Sequence, residues 1–196
     1  QPLQDILDHY DQDYQKKYHA MMAAKLGLTR FDPDQDARLI HDLTHLLTRA
    51  ETDMTLFFRA LARLDIDSLL DRSINHQTFF RPLEDAWYDT SQITDLYMDQ
   101  LVQWTTQYAR CAARDGLTRQ ERRRRMNQVN PKYVLRNYLA HQAIEKAETG
   151  DFSMIHDLLE LLCRPYDAQP EKSIYAQKRP DWAKTTPGCS MLSCSS

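Results

Sequence analysis

Glycine is scarce in this chain of 196 residues: there are four, and no Gly-x-Gly pair occurs among them. A loop that cradles phosphate needs glycine where backbone amides approach the ligand closely. The sequence therefore contains no P-loop, no dinucleotide fingerprint and no kinase-type glycine loop. Cysteine is also sparse, with Cys111, Cys163, Cys189 and Cys194 forming no Cys-x-x-Cys pair. A chain this long buries a core without disulfide staples, so the pattern points to a reducing compartment. No apolar run reaches the roughly 18 residues needed to cross a bilayer. No Gly-x-Ser-x-Gly elbow occurs, and no alternating strand pattern with hairpin turns. The chain opens at Gln1 with no charged-then-apolar leader, which reads as a fragment or processed product and not as a secretory signal.

What is present is helical. Hydrophobic residues make up 42% and charged residues 27% of the chain, the balance of an ordinary soluble domain. Apolar residues recur at three-and-four spacing from Leu3 to Leu26, with Gly27 as the stop. Asp32-Pro33-Asp34 opens a second helix and Thr52-Asp53 a third, while 65–80 reads as short helices and turns. Ser91 to Arg114 reads as one long helix, and Thr118-Arg119-Gln120-Glu121 fits the capping box of the next. Asn130 as cap and Pro131 at the first helical position predict a helix from Pro131 to Thr149. Ser153 to Cys163 gives one more. The expected fold class is all-α, a bundle of roughly seven to nine helices. The expected division is a helical domain at 1–163 and an extended, proline-containing arm at 164–196, packed back through Tyr166, Tyr175 and Trp182.

Chemistry is hard to find. His41 and His45 lie four apart on a helix, half of an H-E-x-x-H pattern, but Asp42 replaces the Glu and no third ligand is evident. Two polar-flank histidines explain them as well. Asp32, Asp34 and Asp36, and Asp65 with Asp67, lack the central Gly and twelfth-position Glu of a calcium loop and suit caps and turns. Charge is unevenly spread. Between Arg110 and Arg136 stand nine basic residues against two acidic ones, within a chain of net charge −3. The run Arg122-Arg123-Arg124-Arg125, with Lys132 and Arg136, is either a phosphate-contacting surface or a docking face for an acidic neighbour. Four consecutive arginines point around most of a helix, and a pI near 6.2 lacks the basic footprint of a nucleic-acid-binding domain.

Several segments together resemble one family. Asp53 to Leu61 is similar to the element D-x-T-L-F-F-R-A-L, and Met126 to Ala140 to M-N-x-V-N-P-K-Y-V-L-R-N-Y-L-A. Ala143-Ile144, Ala147-Glu148 and Gly150-Asp151-Phe152 follow in order. Arg164-Pro165-Tyr166-Asp167, Gln169-Pro170-Glu171, Pro180-Asp181-Trp182-Ala183 and Ser193-Cys194-Ser195-Ser196 complete the series. The resemblance is to the selenoprotein O group, kinase-like proteins that transfer AMP from ATP to serine, threonine or tyrosine of other proteins. Lys172-Ser173 and the stretch from Thr185 to Leu192, with Cys189, depart from the pattern.

The resemblance implies that this chain is the C-terminal helical part. The glycine loop, the ATP-contacting lysine and the metal-binding Asn and Asp of the family lie upstream, so no catalytic, cofactor-binding or metal-binding residue is assigned here. ATP and Mg²⁺ or Mn²⁺ are expected of the full-length parent alone. The expected partners are the upstream kinase-like domain and the parent's protein substrates, with no membrane. Arg122, Arg123, Arg125, Lys132 and Arg136 form the expected docking surface, and Cys194 is the candidate redox cysteine. The expected location is the cytoplasm of a bacterium, or the mitochondrion for a eukaryotic source. The alternative is a helical interaction or nucleic-acid-binding module that works through Arg122 to Arg125.

Overall fold

A computed structural model describes residues 2–66, 68 and 79–189. Among them the protein is all-α, and the one β-type pairing is an isolated antiparallel bridge between Thr52 and Trp87. No helix among the described residues is long and apolar enough to cross a membrane. The chain divides into two compact units, 1–130 and 131–196. Each has its own core.

The first unit contains α1 (Pro2–Lys25), α2 (Pro33–Arg49), α3 (Met54–Leu61), α4 (Asp95–Ala113) and α5 (Arg119–Val129), with short 3₁₀ turns at Arg81–Ala86 and Thr90–Gln92. Side-chain caps set most of the starts. The Asp32 carboxylate accepts from the Asp34 amide and Pro33 sits at the first helical position. Asp53 accepts from the Leu56 amide, and Thr118 and Glu121 close the expected capping box. The long helix starts at Asp95, four residues later than its periodicity suggests, because Thr94 caps it and Thr90–Gln92 forms a separate turn. Of the expected turns at 65–80, most, including Asp67, lie outside the described residues.

The first core gathers Leu26, Leu39, Ile40, Leu43, Phe57, Phe58, Leu61, Tyr97, Leu101, Trp104, Tyr108 and Met126. Two of its aromatic polar ends are satisfied by backbone: the Trp104 indole N–H donates to the Leu39 carbonyl at 2.9 Å, and the Tyr108 hydroxyl to the Leu26 carbonyl at 2.6 Å. The two rings, both on α4, stack at 5.4 Å, and their hydrogen bonds hold α4 against α2 and the end of α1.

The turn after α1 is a Schellman closure, with Leu28 N–H bonded to Ala23 O and Gly27 N–H to Ala24 O. Gly27 has φ +70, and a Cβ there would lie 2.8 Å from Met126 Cγ and 3.1 Å from Arg122 Cγ. Both its conformation and the approach of α5 therefore require glycine. Next along, Asp115 at the end of α4 accepts from the amides of Thr29 and Arg30, both at 2.8 Å. Asp36 is buried and accepts from the Asp32 amide, from the Arg114 guanidinium and from the Cys111 thiol. Burial alone pushes its carboxyl up, but the Asp32 amide, the Arg114 guanidinium and the Cys111 thiol together outweigh that and hold it below the usual range. The same burial and the adjacent Asp36 charge push the Cys111 thiol up to about 11, so it stays protonated and donates.

The second unit contains α6 (Asn137–Glu148) and α7 (Ser153–Cys163), followed by 3₁₀ turns at Pro170–Ala176 and Asp181–Lys184. Its core comprises Tyr133, Tyr138, Leu139, Ala143, Met154, Leu158, Leu161, Ala183 and Cys189. The expected boundary at 163/164 and the observed one at 130/131 differ for a packing reason. Ala183 and Cys189 are buried with α6 and α7, so the described residues after 164 contribute to this unit's core and are not an added arm. Of the three expected anchors, Tyr175 packs against the core and Trp182 meets Tyr138 edge-on at 6.2 Å, whereas Tyr166 is exposed.

Two stability predictions follow from these contacts. Gly27→Ala should cost about 2–3 kcal/mol in urea unfolding, more than the ~1 kcal/mol expected of Gly116→Ala, where φ is also positive but nothing lies within 4 Å. Equal losses would mean that the Met126 approach is not restrictive. Because the folded Asp36 carboxyl titrates below its unfolded value of about 3.9, its contribution is complete above that pH and disappears as pH falls through the folded value. Asp36→Asn should lower stability at neutral pH and flatten the acid limb of a midpoint-against-pH curve. An unchanged limb would exclude Asp36 as its source.

Candidate functional site

The segment Met126 to Arg136 carries the most specific sequence pattern, and the structure corrects its reading. Asn130 does not cap a following helix and Pro131 is not a first helical residue. Instead α5 ends at Val129, Asn130 is its C-cap with φ −104 and ψ 106, and α6 begins only at Asn137. The Asn130 side chain is committed elsewhere. Its Nδ2 donates to the Lys25 carbonyl at 2.8 Å, and its Oδ1 accepts from the Lys25 ammonium at 3.2 Å. Beyond it, the amides of Lys132 and Tyr133 both donate to the Pro165 carbonyl, at 2.8 and 3.1 Å. That pairing holds the chain outside a helical ladder, and the residue before a proline is already biased toward extended geometry.

Asn130 is 1% exposed and sits at a meeting of three helix ends. Arg59 on α3 donates to the carbonyls of Asn127 and Asn130, at 3.3 and 3.2 Å, serving the unpaired carbonyl end of α5. The Lys25 ammonium lies 4.8 Å over the Phe58 ring, and burial lowers its pKa. Asp53, at the other end of α3, caps it and accepts from the Tyr88 hydroxyl at 3.0 Å. The two sequence elements at 53–61 and 126–130 are thus one structure, a clasp of cations and an amide on helix-end carbonyls. Its described bonds tie the ends of α1, α3 and α5 together.

The second unit repeats the device with neutral groups. The Tyr133 hydroxyl is buried within hydrogen-bonding distance of the Ala168 and Gln169 carbonyls, at 2.7 and 2.8 Å. Gln169, at φ 35, turns its carboxamide back to the carbonyls of Leu161 and Arg164, closing the end of α7. Lys172 bonds Asp157 at 2.6 Å on the flank of α7, with Glu160 at 3.9 Å.

The expected docking residues are divided between the two units. Arg122 is buried, its stem packed where Gly27 leaves room, so it is withdrawn from the set. Arg123 and Arg125 are exposed on α5, as is Arg124. Lys132 donates to the Ala168 carbonyl and lies over the Tyr133 ring, and Arg136 is half-buried at the start of α6. The first three belong to one unit and the last two to the other. His41 and His45 are exposed with ring centroids 5.8 Å apart, and among the described residues no three His, Cys, Asp or Glu side chains gather around a cation-sized space. Of the cysteines, Cys111 and Cys189 are buried and Cys163 is exposed, while Cys194 lies outside the described residues. The residues that sequence reasoning missed are Lys25 and Gln169. Lys25 gives no signal, and Gln169 lies six residues beyond the end of α7, too far along the chain to be read as its closing residue.

Residues 1–163 match the family model described as protein adenylyltransferase SelO. Over its full length the chain is 46% identical to the protein nucleotidyltransferase YdiU of Rhodopirellula baltica, and the match spans 37% of that protein. It is 43% identical to YdiU of Aromatoleum aromaticum across 35% of that protein. Across 99% of this chain it is 45% identical to YdiU of an Azoarcus species, again over 35% of the relative. The chain thus spans about a third of the length of the curated relatives it matches.

The clasp makes Asn130 a sensitive position. Asn130→Ala leaves the Lys25 carbonyl and ammonium without their buried partner, and should cost about 2–3 kcal/mol in denaturant unfolding. Gln128→Ala, at an exposed site two residues away, should be nearly neutral. Comparable losses at both positions would show that the clasp carries no special share of stability.

Proposed function

The chain belongs to the SelO family of protein adenylyltransferases, and from that membership we propose that it is the C-terminal helical region of a longer enzyme that transfers AMP from ATP to hydroxyl side chains of proteins. The region takes no chemical part itself. Its role is to buttress the kinase-like domain supplied by the rest of the protein. The observation that carries this reading is the combination of full coverage of this chain with about a third of each relative's length. Several residues of the family pattern support it: Arg59 and Asn130 close helix ends, and Phe57, Phe58, Tyr138 and Leu139 fill cores.

ATP and Mg²⁺ or Mn²⁺ belong, in this reading, to the remainder of the enzyme. The residues described here do not suit them: the four glycines are isolated at positive φ in separate turns, and no cation-binding trio forms among the described residues. No step of the transfer is therefore routed through this chain. A cytoplasmic location fits the same reading, with other proteins as substrates.

The purified 196-residue chain, incubated with labelled ATP, Mg²⁺ or Mn²⁺ and an acceptor protein, should transfer no AMP. ATP with either metal should also leave its thermal unfolding midpoint unchanged, since a ligand that binds the folded state raises it. Transfer of AMP by the isolated chain would overturn the proposal.

A further inference from the structure

Away from the clasp, α2 and α4 turn polar stripes toward each other. On α2, Arg38, Asp42, His45 and Arg49 recur at spacings of four, three and four, which aligns them along one side of the helix. On α4, Gln100, Gln103 and Gln107 recur at three and four beside Trp104. These residues line a cleft of about 400 Å³. Its floor is fixed, because Trp104 is buried, bonded to the Leu39 carbonyl and stacked on Tyr108. Arg49 bonds Gln100, while Leu39 faces Trp104, so the helices run antiparallel and the cleft is a groove along both. From Arg38 to Arg49 the helix axis extends about 16 Å.

The groove's charge is unbalanced. A stripe of arginines on one helix is ordinarily answered by carboxylates on its neighbour, but α4 answers with three neutral carboxamides. The single carboxylate is Asp42, 3.5 Å from Arg38 on the same helix, in a largely exposed pair of little strength. Arg49 donates to the neutral side chain of Gln100.

We propose that this groove docks an extended, acidic segment of another polypeptide. A length of ~16 Å accommodates about five residues of extended chain at ~3.3 Å each. Guanidiniums at the two ends receive carboxylates in a forked geometry. Between them, Gln103 and Gln107 each supply one acceptor and two donors, and Gln100, whose oxygen already accepts from Arg49, its two donors, for the main-chain groups that an extended peptide leaves open. A small oxyanion would engage one guanidinium and leave the row of carboxamides unused. The inference does not depend on the family reading.

The test is fluorescence anisotropy at low salt, using the 196-residue chain and a fluorescein-labelled peptide of sequence Glu-Glu-Ser-Ala-Glu-Glu. Saturable binding is expected, and none for the same peptide with lysine in place of glutamate. The double substitution R38Q/R49Q should weaken binding at least about tenfold, and Gln103→Glu, which adds a carboxylate to the groove, should do the same. The pair R123Q/R124Q on α5 should change it by no more than about twofold. All five positions are exposed, and circular dichroism of each variant checks that the helices are retained. The proposal is overturned by absence of saturable binding, by binding that survives R38Q/R49Q, or by an equal loss in R123Q/R124Q. Pyrophosphate displacing the peptide at equal concentration would also overturn it, assigning the groove to a small anion.

Discussion

A helix end presents carbonyls that its own ladder cannot pair, and burying such an end is costly unless another group reaches it. In the first unit this constraint is met by exchange between helices. The last carbonyl of α1, on Lys25, is taken by the Asn130 carboxamide, and the last carbonyls of α5, on Asn127 and Asn130, are taken by Arg59 from α3. The positions of α1, α3 and α5 are therefore interlocked through hydrogen bonds that no single helix can satisfy alone. Gly27 completes the arrangement, since only a residue without Cβ lets Met126 come so close to the turn that ends α1.

Those exchanges also explain what could be read along the chain and what could not. Caps are local, so Asp32, Asp53, Thr118 with Glu121, and Gly27 announce themselves within four residues of the ends they close. The apolar faces of α1, α2 and α4 follow from spacing for the same reason. The segment 131–136 is different. Asn-Pro is a valid local signal for a helix start, but here the competing partner is the Pro165 carbonyl, more than thirty residues on, which holds the amides of Lys132 and Tyr133. A local signal loses to a non-local bond that it cannot register. The residues after 164 were hidden in a similar way: their prolines suppress helical periodicity, while their contribution to a core rests on Ala183 and Cys189, neither a conspicuous anchor.

The same logic separates recognition from catalysis. The most specific positions in the chain, among them Arg59, Asn130 and Tyr133, are polar or aromatic and buried or half-buried, a profile that in isolation suggests an active site. Most of the described bonds they make end on a backbone carbonyl, the exception being the Lys25 ammonium on the Asn130 carboxamide oxygen. Side chains that pair with backbone constrain geometry strictly, because a change of length or donor number leaves a carbonyl unpaired, so a purely architectural role yields a pattern as sharp as a catalytic one.

Electrostatics gives the last instance of position in space overriding position in sequence. By composition, the basic part of this chain is 110–136 and the remainder is acidic. Yet the basic part loses much of its apparent surface on folding: Arg122 is buried, Arg114 is held by Asp36, Arg119 pairs with Asp65 and Lys132 is drawn to a carbonyl. Cationic character persists instead within the acidic remainder, on α2, where Arg49 donates to Gln100 and Arg38 meets a carboxylate only from Asp42 of its own helix. What a charged residue can recruit depends on the groups opposite it, and a neutral carboxamide stripe leaves two guanidiniums open to an acidic visitor in a way that no count along the chain reveals.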